Sequence, residues 1–470
     1  MIFNLKIKNH EVFGDSEIVL SDDGVAKDAN YYTLILGDNA TGKSELLKAM
    51  IDSVVFMDNH SELQKKRKKE KKELTYELNN SSEYTCPDCI IASSSNLNDK
   101  FPVKITKSKI NGERYKYLGI RSANNNAFVG KYKSIFYHSF IKIIENKKRL
   151  DTLKSSLEYY DFPLDFSFKF VVSKLASPLI GYGHLMGDYE SFLNAARYAL
   201  GKISESTSMG KDKILPILND EGVMKVIYES SQLLFNKGNE HNLTLNLGSV
   251  VSCNDYIASS KYITILLRYG IISVEEFSIE TEHTFGFKNA SSGQFNLFSS
   301  LLTLSSELMD NTLLLIDEPE ISLHPKWQVM YMSALREIIG KYKGCQVVIA
   351  THSHLLVSNM PIKDSSVLMS KKDAAGRITF SRLDCSPTGW SAESVLYNVF
   401  GVLSSRNSVF EVDVRKLAMY MSDWKDENIC EYKEILRRLN RFELATNDPL
   451  RELVTKAKEY LDERLSNAKL

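Results

Sequence analysis

Gly37-Asp38-Asn39-Ala40-Thr41-Gly42-Lys43-Ser44 lies between a short β-prone apolar run, Tyr31-Tyr32-Thr33-Leu34-Ile35-Leu36, and a set of helix formers at helical period, Ser44-Glu45-Leu46-Leu47-Lys48-Ala49-Met50. The glycine loop therefore joins a strand to a helix. In that context it reads as a P-loop: Gly37 and Gly42 let backbone amides wrap phosphate oxygens, and the helix N-terminus adds its dipole. Lys43 is expected to reach the β- and γ-phosphates of ATP and Ser44 to ligate Mg²⁺, with Asp38, Asn39, Ala40 and Thr41 forming the rest of the cradle.

Working outward, Thr312 to Ile316 is a continuous apolar run of the kind a buried parallel strand needs, and it delivers Asp317 and Glu318 at its carboxyl end. Two adjacent carboxylates often close a solvated strand. Beside a P-loop they have a metal to bind, so Asp317 is expected to hold it and Glu318 to orient or deprotonate the attacking water. Gln346-Val347-Val348-Ile349-Ala350 is a second buried strand, and His352 follows it where the sheet opens toward the phosphates. A lone histidine is more often structural, but this one is placed to contact the γ-phosphate. His354 has no such case and reads as a surface or capping residue. Ser291-Ser292-Gly293-Gln294 precedes the apolar helical stretch Phe295 to Leu308 and so sits at a helix N-terminus, an anion site. Alone it would be a cap. Just upstream of Asp317 and Glu318, it reads as the piece that closes on a partner protomer's γ-phosphate.

A chain of 470 residues with 43% hydrophobic and 25% charged content can bury a large core across two or three lobes. Lysine plus arginine equals aspartate plus glutamate at 59 each, so no overall field draws it to nucleic acid or anionic membrane. No run approaches the roughly 20 apolar residues of a membrane span, and Met1-Ile2-Phe3-Asn4-Leu5-Lys6 reads as a strand rather than a signal peptide. The expectation is a cytoplasmic protein without a membrane partner. Six cysteines fit reduced thiols better than a disulfide scaffold. Cys86-Pro87-Asp88-Cys89 has zinc-like spacing but no second pair or nearby histidine to complete four ligands, and reads as ordinary thiols at a strand entrance.

These four segments together resemble the ABC-class ATPases, within them the soluble branch that includes the SMC, RecF and OLD families. Glu318-Pro319-Glu320-Ile321-Ser322-Leu323-His324-Pro325 is particularly similar to the OLD-type Walker B and D-loop. The resemblance covers about residues 1 to 130 and 285 to 385. It implies an ABC-type α/β head and ATP-driven head-to-head dimerisation, with Ser291 and Gly293 of one protomer contacting the ATP held by Lys43 of the other. The sequence departs from the pattern in two places. The signature Ala290-Ser291-Ser292-Gly293-Gln294 lacks the leading leucine and first glycine of the commonest form. No glutamine stands between Gln64 and Gln232, so the usual Q-loop glutamine is missing; Ile90 to Ser95 followed by Asn96 to Phe101 looks like the equivalent element, with a serine or asparagine in its place. A finer resemblance, carried by Ser93 to Pro102, Tyr117-Leu118-Gly119, Trp390 to Phe400 and Arg406-Asn407, is to the PtuA-like ATPases of Septu and certain retrons, and to the ATPase of the PARIS system.

The expected organisation is an ATPase half over residues 1–130, a mainly helical insertion over 131–284, the second ATPase half over 285–385 and a helical region over 386–470. The insertion lacks sustained heptads and is interrupted by Pro163, Pro178 and Pro216, which disfavours a coiled-coil arm and favours a compact helical lobe. Lys65-Lys66-Arg67-Lys68-Lys69-Glu70-Lys71-Lys72 is either a solvated face or a phosphate-backbone contact for nucleic acid. Ser386-Pro387-Thr388-Gly389 marks a boundary. Beyond it, Asp448-Pro449 caps a helix whose stripe Leu450, Leu453, Val454, Ala457, Tyr460, Leu461 and Leu465 is either intramolecular core or a docking surface.

The resemblance implies the ATPase subunit of a bacterial anti-phage defence complex, a homo-oligomer of at least two protomers controlling a separate nuclease of HNH or TOPRIM type. The chain itself shows no HNH pattern and no tail with the glutamate and Asp-x-Asp carboxylates of a metal-dependent TOPRIM nuclease. The alternative is a DNA-clamping ATPase of the RecF or SMC kind. A transporter subunit is disfavoured by the roughly 250 residues between P-loop and signature, since the transporter domain is far more compact.

Overall fold

The computed structural model describes residues 1–22, 25–63, 74–79, 85–105, 114–119, 121, 129–174, 176–206, 217, 219–235, 240–247, 250–279, 285–286, 291–357, 359–373, 376–383, 388–398, 408–423, 425, 428–442 and 448–467. The chain divides into two compact units, Met1–Gly389 and Trp390–Leu470. Within the first, the strands are β1 (Asn4–His10), β2 (Gly14–Val19), β3 (Tyr31–Gly37), β4 (Thr75–Leu78), β5 (Cys89–Ser94), β6 (Tyr115–Tyr117), β7 (Asp165–Val172), β8 (Glu240–Asn246), β9 (Ile272–Ile279), β10 (Phe285–Gly286), β11 (Thr312–Asp317), β12 (Gln346–Thr351), β13 (Ser365–Lys372) and β14 (Ile378–Arg382).

The fold is mixed α/β, as expected, around a seven-stranded sheet of order β14-β13-β3-β12-β11-β5-β6. Every pairing in it is parallel except β13 with β14. Strands β3, β5, β11 and β12 are buried along their whole length, which explains why they read as unbroken apolar runs rather than alternating ones. Register then decides what meets at the carboxyl edge. Asp317 pairs with Ala350 and with Ser94, Thr351 pairs with Leu36, and Ser370 with Gly37. The P-loop, the acidic pair, the histidine loop and the loop after β5 therefore leave the sheet at one level.

A small antiparallel sheet, β2-β1-β4, packs with the P-loop helix Lys43–Leu63 through Leu5, Ile7, Ile18, Leu46, Met50 and Leu78. The region between β6 and the helix Ser292–Glu307 does contain the expected helices, Val129–Ile144, Lys147–Tyr159 and Tyr189–Ser206 among them. It also holds what the helical-lobe expectation lacks: a four-stranded antiparallel sheet of order β10-β9-β7-β8. Strand β7 alternates strictly, burying Phe166, Phe168, Phe170 and Val172; Phe166 and Phe168 meet Phe140 and Phe277, Phe166 meets Phe298, and Phe136 joins through Phe277 and Phe298. Because Phe298 lies on the helix Ser292–Glu307, the insertion core is built onto the signature helix itself.

In the second unit the helices Ser408–Ser422, Ile429–Leu439 and Pro449–Asn467 share one core of Phe410, Leu417, Tyr420, Tyr432, Ile435, Leu436, Leu439, Val454, Ala457 and Leu461. The C-terminal stripe thus packs inward. Tyr432 donates its hydroxyl to the Ala457 carbonyl at 3.0 Å, and Arg438 grips Asp413 with two nitrogens at 2.8 and 2.7 Å. No helix among the described residues is long and apolar enough to cross a membrane. The basic run Lys65 to Lys72 lies outside the described residues, as do Ala290, Arg406, Asn407 and Pro216.

Candidate nucleotide site

The cradle begins where β3 ends. At Gly37 a Cβ would overlap the Ser370 carbonyl oxygen of the neighbouring strand, so only glycine lets the chain turn there. Thr41 closes the loop by donating its hydroxyl to the Asp38 carbonyl at 2.8 Å, and the helix takes over with Leu46 N bonded to the Gly42 carbonyl at 2.9 Å. Lys43, the first helical residue, is buried. Its Nζ donates to the carbonyls of Gly37 and Asp38, both at 2.9 Å, and stands 2.9 Å from Nε2 of His352. Burial pulls this lysine down to about 8, against the opposing pull of Glu318 and Asp317.

Ser44 donates to Oδ1 of Asp317 at 3.0 Å. Asp317 is 1% exposed, and burial pushes its carboxyl up to about 7 despite that bond. A buried carboxylate and a hydroxyl converging beside an anion cradle are hard oxygen donors of the type magnesium takes, and they fit that ion.

Glu318 departs from the strand with φ of +50°, an uncommon conformation for a residue with a side chain, while its N–H still donates to the Ala350 carbonyl at 2.9 Å. The turn sends its carboxylate sideways into the site. Oε1 lies 3.4 Å from Nε2 of His352, and Oε2 accepts from Asn96 Nδ2 at 2.9 Å. Contact with His352, and then the Asn96 bond, hold this carboxyl below the ordinary glutamate range.

Asn96 is the residue that sequence reasoning left as one of two alternatives. It follows β5, whose Ser94 is in register with Asp317, and its loop is fixed internally: Asn96 N donates to Ser94 Oγ at 3.0 Å and Asn98 N to Asn96 Oδ1 at 2.9 Å. Three residues on, buried Asp99 accepts from Tyr117 Oη at 2.5 Å and from Phe101 N at 2.9 Å, and pairs with Arg121 at 3.3 Å. These bonds tie the Asn96 loop to the sheet-edge strand β6.

His352 is held from below. Its backbone N–H donates to Glu320 Oε1 at 2.6 Å, and the next residue, Ser353, donates its hydroxyl to Gln328 Oε1 at 2.7 Å. Glu320 belongs to the quoted acidic stretch, yet nothing in its spacing signals this contact with a residue from another strand. His354 starts the short helix His354–Val357.

Lys43, Ser44, Asp317, Glu318 and His352 thus form one connected cluster, and Asn96 joins it. Ser291 and Gln294 instead bond each other in a capping box at the start of the helix Ser292–Glu307 (Gln294 N to Ser291 Oγ 3.2 Å, Ser291 N to Gln294 Oε1 3.0 Å). Ser291 and Ser292 are exposed. A hydroxyl that accepts from its own helix keeps a proton to donate outward. Gly293 is buried, and a Cβ there would overlap the Ser322 carbonyl, so the helix start rests directly on the turn after Glu318.

The zinc-like pair separates into two environments. Cys86 Sγ accepts from Arg114 at 2.9 Å, while Cys89 opens β5 and is pushed up to about 11 by burial. No group of three or more histidine, cysteine, aspartate or glutamate side chains that could hold a metal is found among the described residues.

The family model described as "AAA domain, putative AbiEii toxin, Type IV TA system" matches residues 133–358, just under half of the chain and beyond the P-loop. A stretch of 145 residues, 30% of the chain, is 27% identical to the Septu protein PtuA of Bacillus thuringiensis. It spans 34% of that relative's length. Among solved structures, the Smc head domain with an extended coiled coil bound to the C-terminal domain of ScpA, from Pyrococcus furiosus, aligns over 81% of this chain and 96% of that one at 10% identity and TM-score 0.31. The SmcHead bound to the C-winged helix domain of ScpA aligns over 82% and 98% at the same identity and score.

Proposed function

We propose that this chain, which resembles the ABC-class ATPases and the Septu protein PtuA, binds and hydrolyses ATP at sites shared between protomers, and that the assembly so formed controls a separate nuclease in bacterial anti-phage defence. The observation that carries the hydrolytic part is the convergence of Lys43, Ser44, Asp317, Glu318, Asn96 and His352 at the carboxyl edge of one parallel sheet. The defence assignment rests on the likeness to PtuA.

In this reading Lys43 leaves the carbonyls of Gly37 and Asp38 and carries its charge to the phosphates. Nε2 of His352, no longer facing an ammonium, is then free to hold a proton and donate it to a γ-phosphate oxygen or to Glu318. Glu318, held charged by its two partners and turned into the site, accepts a proton from water, and Asn96 keeps that carboxylate oriented. Ser44 and Asp317 would hold Mg²⁺, which when bound neutralises charge on the phosphate oxygens. Ser291, with Gly293 allowing close approach, would close on the nucleotide of a second copy.

ATP turnover by the purified chain tests the reading, together with copurification of a nuclease from the native operon. Turnover abolished by Glu318→Gln while nucleotide binding and ATP-dependent assembly persist is the expected result. A Glu318→Gln chain that hydrolyses ATP at the native rate would remove Glu318 as the base.

A further inference from the structure

Seven residues run from Glu318 to His324, and two of them depart from the ordinary backbone. Glu318 and Ser322 both have positive φ, +50° and +64°, and the turn is closed by Ile321 N to the Glu318 carbonyl at 3.3 Å and Leu323 N to the Glu320 carbonyl at 3.0 Å. Because Asp317 is in register with Ala350, this turn carries Glu320 across to the loop that leaves the next strand. There it accepts the His352 N–H at 2.6 Å, a short charge-assisted bond.

We propose that Glu320 is a positioning residue: by accepting the backbone N–H of His352 it fixes the imidazole between Lys43 and Glu318, and so governs turnover rather than nucleotide affinity. The proposal deepens the hydrolytic reading of the site and rests on it.

Two observations separate this from a turn-stabilising contact. The other carboxylate oxygen of Glu320 is buried and finds no hydrogen-bond partner among the described residues. The side chain's hydrogen bonding is thus directed through one oxygen to the loop of His352, an acceptor role that a glutamine side chain would also fill. Secondly, the loop is gripped at consecutive residues from the same segment. Glu320 holds His352 and Gln328 holds Ser353, whose N–H also reaches Thr351 Oγ1 at 2.9 Å. The ring then lies with Nε2 at 2.9 Å from Lys43 Nζ and 3.4 Å from Glu318 Oε1.

The test compares Glu320→Ala and Glu320→Gln in the full chain by steady-state ATP hydrolysis, by thermal melting, and by the imidazole proton–carbon resonance that disappears in His352→Ala. The alanine variant is expected to lose about ten- to a hundredfold in kcat, the worth of one hydrogen bond to a charged group, with KM changed less than about twofold and the His352 resonance displaced. The glutamine variant keeps an oxygen acceptor of the same shape and is expected to restore kcat to within roughly threefold and the resonance to its native position. A native kcat and resonance in Glu320→Ala would overturn the proposal, and so would a Glu320→Gln chain as impaired as the alanine variant. Should the native chain fail to hydrolyse ATP, the hydrolytic reading falls while the resonance still decides whether Glu320 seats His352.

Discussion

Nε2 of His352 stands 2.9 Å from the Lys43 ammonium and 3.4 Å from a Glu318 carboxylate oxygen. That nitrogen lies within reach of a cation and of a carboxylate, and it can accept from the first or donate to the second. In the proposed reading Lys43 moves toward a phosphate and leaves that nitrogen to Glu318, which would let the site tell a filled cradle from an empty one.

Lys43→Ala removes the buried cation and both of its loop bonds. ATP affinity, read by titration calorimetry, is expected to fall at least about a hundredfold, beyond the loss of a single charge-assisted bond. Retained affinity would remove the P-loop assignment.

Asn96→Ala leaves Glu318 Oε2 without its 2.9 Å donor. Loss of a hydrogen bond to a charged group predicts a kcat lower by about ten- to a hundredfold with ATP binding intact. The Asn96 bond also helps hold the Glu318 carboxyl below its ordinary range, so in Asn96→Ala the acid limb of the kcat profile should move to higher pH. Single-turnover rates across pH check both, and an unmoved limb with native kcat would separate Asn96 from the chemistry.

Gly293→Ala places a methyl against the Ser322 carbonyl, a backbone atom that moves only with its turn. Overpacking of this kind costs about 1–3 kcal/mol. Chemical denaturation should show that loss, and ATP-dependent assembly should weaken with it. Native stability and assembly would mean the two segments do not touch as described.

Phe168→Ala opens a cavity in the aromatic core between β7 and the signature helix, with an expected loss of about 3–5 kcal/mol. Denaturant unfolding measures it directly. A loss below about 1 kcal/mol would contradict the packed insertion core.

What could be read ahead of the fold follows from how local each signal is. β3, β11 and β12 are buried on both faces, so each appears as an apolar run ended by a polar or glycine residue, and the cluster at their carboxyl ends was foreseeable. The alternation Asp165-Phe166-Ser167-Phe168-Lys169-Phe170 carried a strand signal too, but its partners Glu240–Asn246 and Ile272–Ile279 lie far along the chain, and the surrounding helices dominated the reading. The C-terminal stripe was legible as a stripe; only packing against Tyr432 and Ile435 turned it into core. Asn96 with Glu318 and Glu320 with His352 are joined by register across the sheet, and no spacing in the linear sequence encodes them.

The most direct measurement mixes two inactive chains, one carrying Lys43→Ala and the other Ser291→Glu, and records ATP hydrolysis. In a two-fold dimer with shared sites, each mixed pair joins the intact cradle of one chain to the intact lid of the other, so activity is expected to return to about a quarter of the native level at equal concentrations. A mixture no more active than its separate components would contradict sites shared between protomers.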